Sequence, residues 1–412
     1  MRCPYCREEC AEEDTPCPAC GHRVDPDDVT GQTKEAREKT GKPRVGALRR
    51  RDFLQAAAGL VLAGSAGAFP VARRRRVLAP RVAGGINIHP LRRFDQVSDF
   101  TPPVIIPELV DLQLREAYEL GFESVRITLS FNNFGPDLEA AIMYVRALRA
   151  LGIHVVGILE QFGTGADLTR ALIDPAKRAL VIDTYLALFA DEDLQPARRR
   201  IASTGNVTFQ VMNEPANFRG ISPEDYVRLF LRPVYADMKA RRPDLPVVAA
   251  ASVGGRDGVI RLERMLRAGL EAYCDIVAVH VYDERVIELL PQALDHPVWV
   301  TESGVLGAAN HLDWYQRTLP MLQALPQVER VSYFDLYDGQ PDAYRLISIA
   351  ETEQGFVRSV ESVELYEHLQ DLVRTAAAGR PIFPYSRLVP DVRRYLPTES
   401  DHRVLNEARA QL

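Results

Sequence analysis

Short apolar segments alternate with longer amphipathic segments along most of this chain, and this alternation constrains its fold more than any other feature. From Val82 onward, eight segments are apolar nearly throughout, as strands covered on both faces must be. The predicted strands span residues 85–88, 124–129, 155–159, 207–212, 247–251, 276–281, 298–300 and 331–336. Eight strand–helix units in roughly 300 residues predict an α/β fold, a (β/α)8 TIM barrel.

A doubly wound open sheet is the alternative architecture. It would carry a glycine-rich phosphate turn after its first strand, whereas Gly84-Gly85 comes before that strand and no G-x-G-x-x-G follows it. Helices are predicted over 138–151, over 226–240 and over 357–378, and the second begins at the N-cap Ser222 with a proline and two acids. The tail over 379–412 has four prolines and no clear period, and we expect it to pack around the outside of the barrel.

Charge and cysteine content divide the chain into three segments. Residues 1–30 carry three basic and eight acidic residues, whereas residues 31–51 carry eight basic and two acidic residues. Five of the six cysteines lie in the first 20 residues, so the body is not a disulfide scaffold. We predict a zinc-ribbon-like segment over 1–30, a linker with an export signal or anchor over 31–76, and the barrel with its tail over 77–412.

Two C-x-x-C pairs predict a metal site in the head. Cys3 and Cys6 form the first pair, and Cys17 and Cys20 form the second, with ten residues between the pairs. Four thiolates on two tight turns suit structural Zn²⁺, which would supply most of the folding energy of so short a segment. A redox dithiol at the first pair is the alternative. The head resembles a zinc ribbon, and its acidic charge favours a structural or protein-contact module over nucleic acid binding.

The linker has the composition of an export signal. Three arginines at 49–51 precede an uncharged, weakly apolar run over 53–72 that contains a small-residue site at 66–68. The pattern Arg50-Arg51-x-Phe53-Leu54 resembles a twin-arginine signal. An uncleaved membrane anchor and a buried helix are the alternatives for the same run. We expect the barrel to lie outside the cytoplasm, either exported to the periplasm or anchored to the membrane.

Acidic side chains occur at two of the predicted strand ends, where barrels carry their active residues. Asn213, Glu214 and Pro215 end the fourth strand, and Glu302 with Ser303 follows the seventh. Carboxyl groups on these two strands would face each other across the mouth of the barrel. One protonated and one ionised carboxyl at a fixed gap can cleave a glycosidic bond, so the sequence predicts a catalytic pair that needs no cofactor.

These motifs resemble glycoside hydrolases of clan A, the barrel superfamily that includes cellulase-, mannanase- and xylosidase-like families. The resemblance covers roughly residues 82–340. It implies a carbohydrate substrate, with Glu214 as the acid/base, Glu302 as the nucleophile and Asn213 holding the 2-hydroxyl group of the sugar. A retaining double displacement would need the two carboxyl groups about 5–5.5 Å apart.

The other substrate contacts are expected at further strand ends. The resemblance implies that Arg126 lies near the nucleophile and that Tyr282, in the pattern His280-x-Tyr282, contacts it; structural roles for all three side chains stay open. Asn87 is either a sugar contact or a turn residue. Where the clan often has a sugar-stacking tryptophan, this chain offers Phe334, and its low tryptophan content favours a short pocket and a small glycoside.

Three functional hypotheses follow from these features. The first is a retaining glycoside hydrolase that acts on a short glycoside or oligosaccharide. The second is a non-catalytic carbohydrate-binding or scaffold barrel with the zinc-ribbon-like head as a contact module, although both glutamates of the pair are present. The third is a zinc-ribbon regulatory protein with a sensor barrel, against which the acidic head and the export-like segment argue.

Overall fold

The computed structural model describes ten stretches of the chain, all within the compact unit Arg75–Leu412. They are residues 83–88, 107–130, 136–160, 166–189, 207–252, 254–294, 296–336, 344–353, 355–376 and 392–411. The predicted zinc ligands Cys3, Cys6, Cys17 and Cys20 and the apolar run over 53–72 lie outside these residues. Within the described stretches, none of the helices is long and apolar enough to cross a membrane.

Eight parallel strands form the central sheet, in the order β5-β4-β3-β2-β1-β8-β7-β6. A parallel bridge from Val248 to Ile276 joins the two outer strands and closes the sheet into a (β/α)8 barrel, as predicted. The strands are β1 Ala83–Ile88, β2 Ser124–Ser130, β3 His154–Glu160, β4 Val207–Val211, β5 Val247–Val248, β6 Val277–Val281, β7 Val298–Ser303 and β8 Val328–Tyr333.

Helices surround the barrel on its outer side. They are α1 Pro107–Glu119, α2 Pro136–Ala150, α3 Ala166–Ile173, α4 Pro175–Phe189, α5 Pro215–Phe218, α6 Pro223–Asp225, α7 Arg232–Arg241, α8 Arg256–Arg267, α9 Glu284–Ala293, α10 Ala308–Gln323, α11 Val363–Ala376 and α12 Glu399–Gln411. Ser222 caps α6 through a 3.1 Å bond from the Asp225 amide, as the sequence predicts. A π-helical stretch, Tyr226–Leu231, connects α6 to α7, and 3₁₀ turns form at Leu270–Tyr273 and Val392–Tyr395.

The main hydrophobic core lies between the sheet and the helices. Apolar residues of the strands, such as Val125 and Val155, are fully buried against helix residues such as Ile142 and Leu148. A smaller cluster inside the barrel includes Val156 and Trp299. One face of each strand packs against helices, and the other face fills the barrel interior. Burial on both faces therefore requires apolar residues along each strand, with polar residues where the barrel carries its site.

The structure corrects the predicted secondary structure in the C-terminal third. The helix predicted over 357–378 begins only at Val363, because residues before it form an antiparallel hairpin of β9 Ile347–Thr352 and β10 Gly355–Val360. The predicted fifth strand over 247–251 shortens to two residues, and β8 starts and ends three residues before its predicted bounds. Phe334 therefore follows its strand instead of lying within it.

The tail contains more structure than its sequence suggested. Its described part forms a 3₁₀ turn and the helix α12, and Asp401 of that helix accepts hydrogen bonds of 2.8 and 2.7 Å from Arg146 of α2. This described part of the tail therefore packs on the outside of the barrel, as expected, through a helix of 13 residues.

Candidate active site

Strand β4 delivers Asn213 and Glu214 to the carboxyl end of the barrel. Both side chains are buried, with 7% and 6% of their surface exposed. The backbone leaves β4 through two non-glycine residues with positive φ, 66° at Met212 and 40° at Glu214, and then enters α5 at Pro215. Left-handed backbone costs a residue with a side chain about 1 kcal/mol or more, and such strain clusters at functional sites.

Strand β7 delivers Glu302 to the same end of the barrel. A register shift between Val279 and His280 sets His280 of β6 beside Glu302. Atoms of Glu214, His280 and Glu302 lie within 4.8 Å of one another. The two carboxyl groups that the sequence predicted as a pair are therefore neighbours in space, although 87 residues lie between them in the sequence.

Arg126 of β2 binds the surrounding polar groups together. Its guanidinium donates to Oε1 of Glu302 at 2.7 Å, to Oδ1 of Asn213 at 2.7 Å and to Oδ1 of Asn87 at 2.8 Å. Its Nε donates to Oε1 of Gln210 at 2.9 Å. Since only 3% of Arg126 is exposed, these charge-assisted bonds work in a largely dry environment and fix the position of Glu302.

His280 connects the two acids. Its Nδ1 lies 2.6 Å from Oε1 of Glu214, and its Nε2 lies 3.3 Å from Oε1 of Glu302 without forming a hydrogen bond. The short contact to Glu214 needs one shared proton, either on the carboxyl or on Nδ1. With the proton on the carboxyl, Glu214 is an acid beside a neutral imidazole. With the proton on Nδ1, Glu214 is a carboxylate beside an imidazolium, whose positive charge also faces Glu302.

The second oxygen of Glu302 accepts a 2.7 Å hydrogen bond from the hydroxyl group of Tyr282. Burial opposes ionisation of Glu302, but the charges of His280 and Arg126 and the bond from Tyr282 hold the pKa of Glu302 below its usual value. Burial, and then the charge of Glu302, raise the pKa of Tyr282, so this hydroxyl keeps its proton. The site therefore pairs an ionised carboxylate at Glu302 with a carboxyl that can hold a proton at Glu214.

Each carboxylate oxygen of the two acids already contacts a polar group of the protein. Oε1 of Glu302 already meets the guanidinium of Arg126, and Oε1 of Glu214 meets His280. The remaining oxygens accept from the hydroxyl of Tyr282 and from the side-chain amide of Asn217. A cation bound by the two acids would compete with these contacts for the same oxygens.

The other residues predicted to bind substrate take different positions. Asn87 is 2% exposed; its amide donates to the carbonyl oxygens of Thr301 and Tyr333, and its oxygen accepts from Arg126. This geometry favours a role in orienting Arg126, and a direct sugar contact stays a prediction. Phe334 is half-buried just beyond β8 and packs edge-on against Tyr282 at 6.2 Å between ring centroids.

Sequence reasoning missed two neighbours of the site. Tyr344, from the segment before β9, packs at an angle against Tyr282 and edge-on against Phe334, at 5.2 and 5.6 Å between ring centroids. Gly304 makes this possible, because a Cβ there would lie 3.1 Å from the Tyr344 ring. Asn217 bonds Glu214 three residues earlier. The spacing of three residues between Glu214 and Asn217 was a usable signal for Asn217, whereas nothing local indicated Tyr344.

A cation–aromatic cluster lies at the opposite end of the barrel. Arg330 lies over the ring of Trp299 at 4.2 Å, and His154 packs edge-on against the same ring. Burial, with a smaller effect of Arg330, lowers the pKa of His154 to about 3. His154 is thus a neutral partner of Thr208 at the amino end, away from the acids, as the sequence indicated.

No family model and no curated protein match this chain. Among solved structures, a mutant of rice Os3BGlu6 β-glucosidase in a covalent complex with Glc is similar, with a TM-score of 0.52 and 10% identity over 71% of this chain and 97% of that chain. GH5_18 from Streptomyces cattleya in complex with GlcNAc has a TM-score of 0.50 and 17% identity over 74% and 82% of the two chains. At such identities the likeness establishes a shared barrel fold.

Proposed function

We propose that this chain is a retaining glycoside hydrolase that cleaves the O-glycosidic bond of a short glycoside or oligosaccharide. The observation that carries the proposal is the approach of Glu214 and Glu302, whose nearest atoms lie within 4.8 Å of each other. Retaining enzymes hold their carboxyl groups about 5–5.5 Å apart, whereas inverting enzymes leave about 6.5–9.5 Å for a water molecule. The separation supports retention of configuration.

Glu302 is the proposed nucleophile. Arg126 and Tyr282 each bond one of its oxygens at 2.7 Å, so the carboxylate is ionised and aimed before substrate arrives. Its attack on the anomeric carbon forms a glycosyl ester as the bond to the leaving group breaks. Glu302 loses its negative charge when the ester forms. The guanidinium of Arg126 can then stabilise polar groups of the bound sugar.

Glu214 is the proposed acid and base. It gives its proton to the leaving oxygen in the first step and, as a carboxylate, takes a proton from water in the second. The oxygen of that water bonds to the anomeric carbon, and Glu302 leaves as a carboxylate. The 2.6 Å contact with His280 supports both states, because the imidazole can accept a hydrogen bond from the acid or donate one to the base.

The ligand class is proposed from the site itself. Two acids, a buried arginine and the aromatic side chains Phe334, Tyr282 and Tyr344 offer the polar and ring surfaces that a sugar needs. The rice enzyme of similar fold holds Glc and the Streptomyces protein holds GlcNAc, and we propose a carbohydrate ligand for this chain too. The small number of aromatic groups favours a short pocket.

The experiment is hydrolysis of a panel of aryl β-glycosides by the full-length chain and by its Glu302→Ala variant. The proposal predicts that the wild type cleaves at least one glycoside and that the variant loses at least 1,000-fold of this activity, about 4 kcal/mol of transition-state stabilisation. Binding of sugars without cleavage would instead favour a non-catalytic carbohydrate-binding barrel. An equally active Glu302→Ala variant would remove the proposed nucleophile.

The N-terminal segments add two proposals that rest on sequence. Zn²⁺ bound by the four cysteines would hold the head as a structural or protein-contact module, and a metal content well below one Zn²⁺ per chain would remove this proposal. The twin-arginine-type segment would direct the barrel out of the cytoplasm, as an exported or anchored protein. Substituting Arg50 and Arg51 by lysine should block export, and unchanged export would contradict it.

A further inference from the structure

A pair of polar residues outside the predicted site reaches the proposed acid/base. Asn217 of α5 donates from its amide to Oε2 of Glu214 at 3.0 Å. Arg261 of α8 donates in turn from Nη1 to the side-chain oxygen of Asn217. Because His280 takes the other oxygen of Glu214, the carboxyl group is held from two sides. Glu214, Asn217 and Arg261 also line one narrow cleft together, so the pair lies beside an opening at the acid.

The charge on Arg261 is not matched by an acidic partner. Among the described residues its hydrogen bond goes to the neutral amide of Asn217, and no carboxylate forms an ion pair with it. Arg264, three positions later on the same helix, is different, because its Nε and Nη2 donate to the two carboxylate oxygens of Glu224. The positive charge of Arg261 polarises the side-chain amide of Asn217 through its oxygen. This polarisation strengthens the hydrogen bond that the amide nitrogen donates to Glu214.

The other charged groups that face Glu214 come from three strands. His280 of β6 contacts one oxygen, and Glu302 of β7 lies within 4.8 Å. Tyr282 follows β6 and keeps its proton, and Arg126 of β2 is already paired with Glu302 at 2.7 Å.

We propose that Asn217 and Arg261 are positioning residues that orient Glu214 and stabilise its ionised form. The inference rests on the proposed function, in which Glu214 is a carboxylate between the two steps. At that point Glu302 is a neutral ester, and Glu214 must turn one oxygen to the incoming water. The amide of Asn217 fixes Oε2 and the charge of Arg261 offsets the new negative charge, so Glu214 alternates between its two states instead of keeping its proton.

The test follows Glu214 directly, without relying on turnover. The full-length chain is labelled with ¹³C at the glutamate carboxyl groups and titrated by NMR, and the signal of Glu214 is identified by its loss in Glu214→Gln. We expect the titration midpoint of Glu214 to rise by about 0.5–1 unit in Arg261→Met, because a stabilising positive charge is removed. Arg261→Lys keeps the positive charge and should bring the midpoint most of the way back to the wild-type value, whereas Asn217→Ala should give a shift of the same sign as Arg261→Met.

Arg264→Met is the matched control, since it removes an arginine from the same helix that pairs with Glu224 on the surface. Its midpoint for Glu214 should equal that of the wild type. A folded Arg261→Met protein with an unchanged midpoint would overturn the inference. Equal shifts in Arg261→Met and Arg264→Met would overturn it as well, because they would mean a general charge effect.

A kinetic readout separates this inference from the proposed function. If the wild type cleaves glycosides, the basic limb of kcat/KM should move to higher pH in Arg261→Met, where Glu214 keeps its proton longer. Suppose that the wild type cleaves glycosides and that Arg261→Met shifts neither the NMR midpoint nor the basic limb. The proposed hydrolase function would then be supported, and the positioning role of Asn217 and Arg261 would be refuted. A wild type that cleaves no glycoside would refute the proposed hydrolase function. The NMR titration would still test whether Asn217 and Arg261 stabilise the ionised form of Glu214.

Discussion

Replacing Tyr282 by phenylalanine tests how the site keeps Glu302 ionised. The hydroxyl group of Tyr282 donates a 2.7 Å hydrogen bond to Oε2 of Glu302. Phenylalanine keeps the ring, and with it the contacts to Phe334 and Tyr344 at 6.2 and 5.2 Å between centroids. The substitution therefore removes a single donor and leaves the packing around it in place.

The expected effect follows from the strength of that hydrogen bond. A hydrogen bond to a charged acceptor contributes about 1.5–3 kcal/mol, and one pKa unit corresponds to about 1.4 kcal/mol. The pKa of Glu302, which the site holds below its usual value, should therefore rise by about 1–2 units in Tyr282→Phe. The sign is fixed, because the lost bond stabilises only the ionised form.

The assay is kcat/KM for an aryl glycoside between pH 3 and 9, in wild type and variant. The acidic limb reports protonation of the nucleophile and should move to higher pH by about 1–2 units. Tyr315→Phe is the control, because it also removes one tyrosine hydroxyl group, but that group bonds Ser303 and not Glu302. An acidic limb that stays in place in a folded Tyr282→Phe protein, or that moves equally in the control, would refute the reasoning.

Three further substitutions or treatments probe the scaffold. A Cβ on Gly254 would lie 2.8 Å from the ring of Tyr282 and 2.9 Å from its backbone nitrogen, so Gly254→Ala should lower stability by about 1–3 kcal/mol in urea unfolding and also reduce activity. Asp401→Asn weakens the bonds from Arg146 and should cost about 1–2 kcal/mol at pH 7, fading as pH falls through the lowered pKa of Asp401. Burial raises the pKa of Cys274 to about 12, so alkylation at pH 8 should require unfolding.

The barrel could be predicted because its strands are buried on both faces. Each strand had to be apolar, and the helices between them had to show an amphipathic period, so the alternation survives in the sequence. The hairpin Ile347–Thr352 and Gly355–Val360 could not be recognised in the same way. Its second strand is mostly exposed, with Val357 55% exposed, so no buried face imposed a pattern on it.

The two acids could be predicted because their place in the barrel carries the signal. Asn213-Glu214-Pro215 indicates a catalytic residue only because it follows the fourth strand. Glu302 does so only because it lies at the end of the seventh strand. The contacts that make the acids different are long-range, such as those of Arg126 with three strand ends, and no local pattern records them. Arg261, which lies 44 residues from its partner Asn217, was missed for the same reason.

The most direct measurement is the location of a covalent sugar on the protein. A 2-deoxy-2-fluoro glycoside with an activated leaving group should form an ester with the nucleophile and leave it slowly, so the intact chain gains the mass of one fluorosugar. Peptide mass spectrometry should place that sugar on Glu302 in the wild type and find none in Glu302→Ala. An adduct on another side chain, or cleavage that forms the inverted product with no adduct, would contradict the proposed pair of acids.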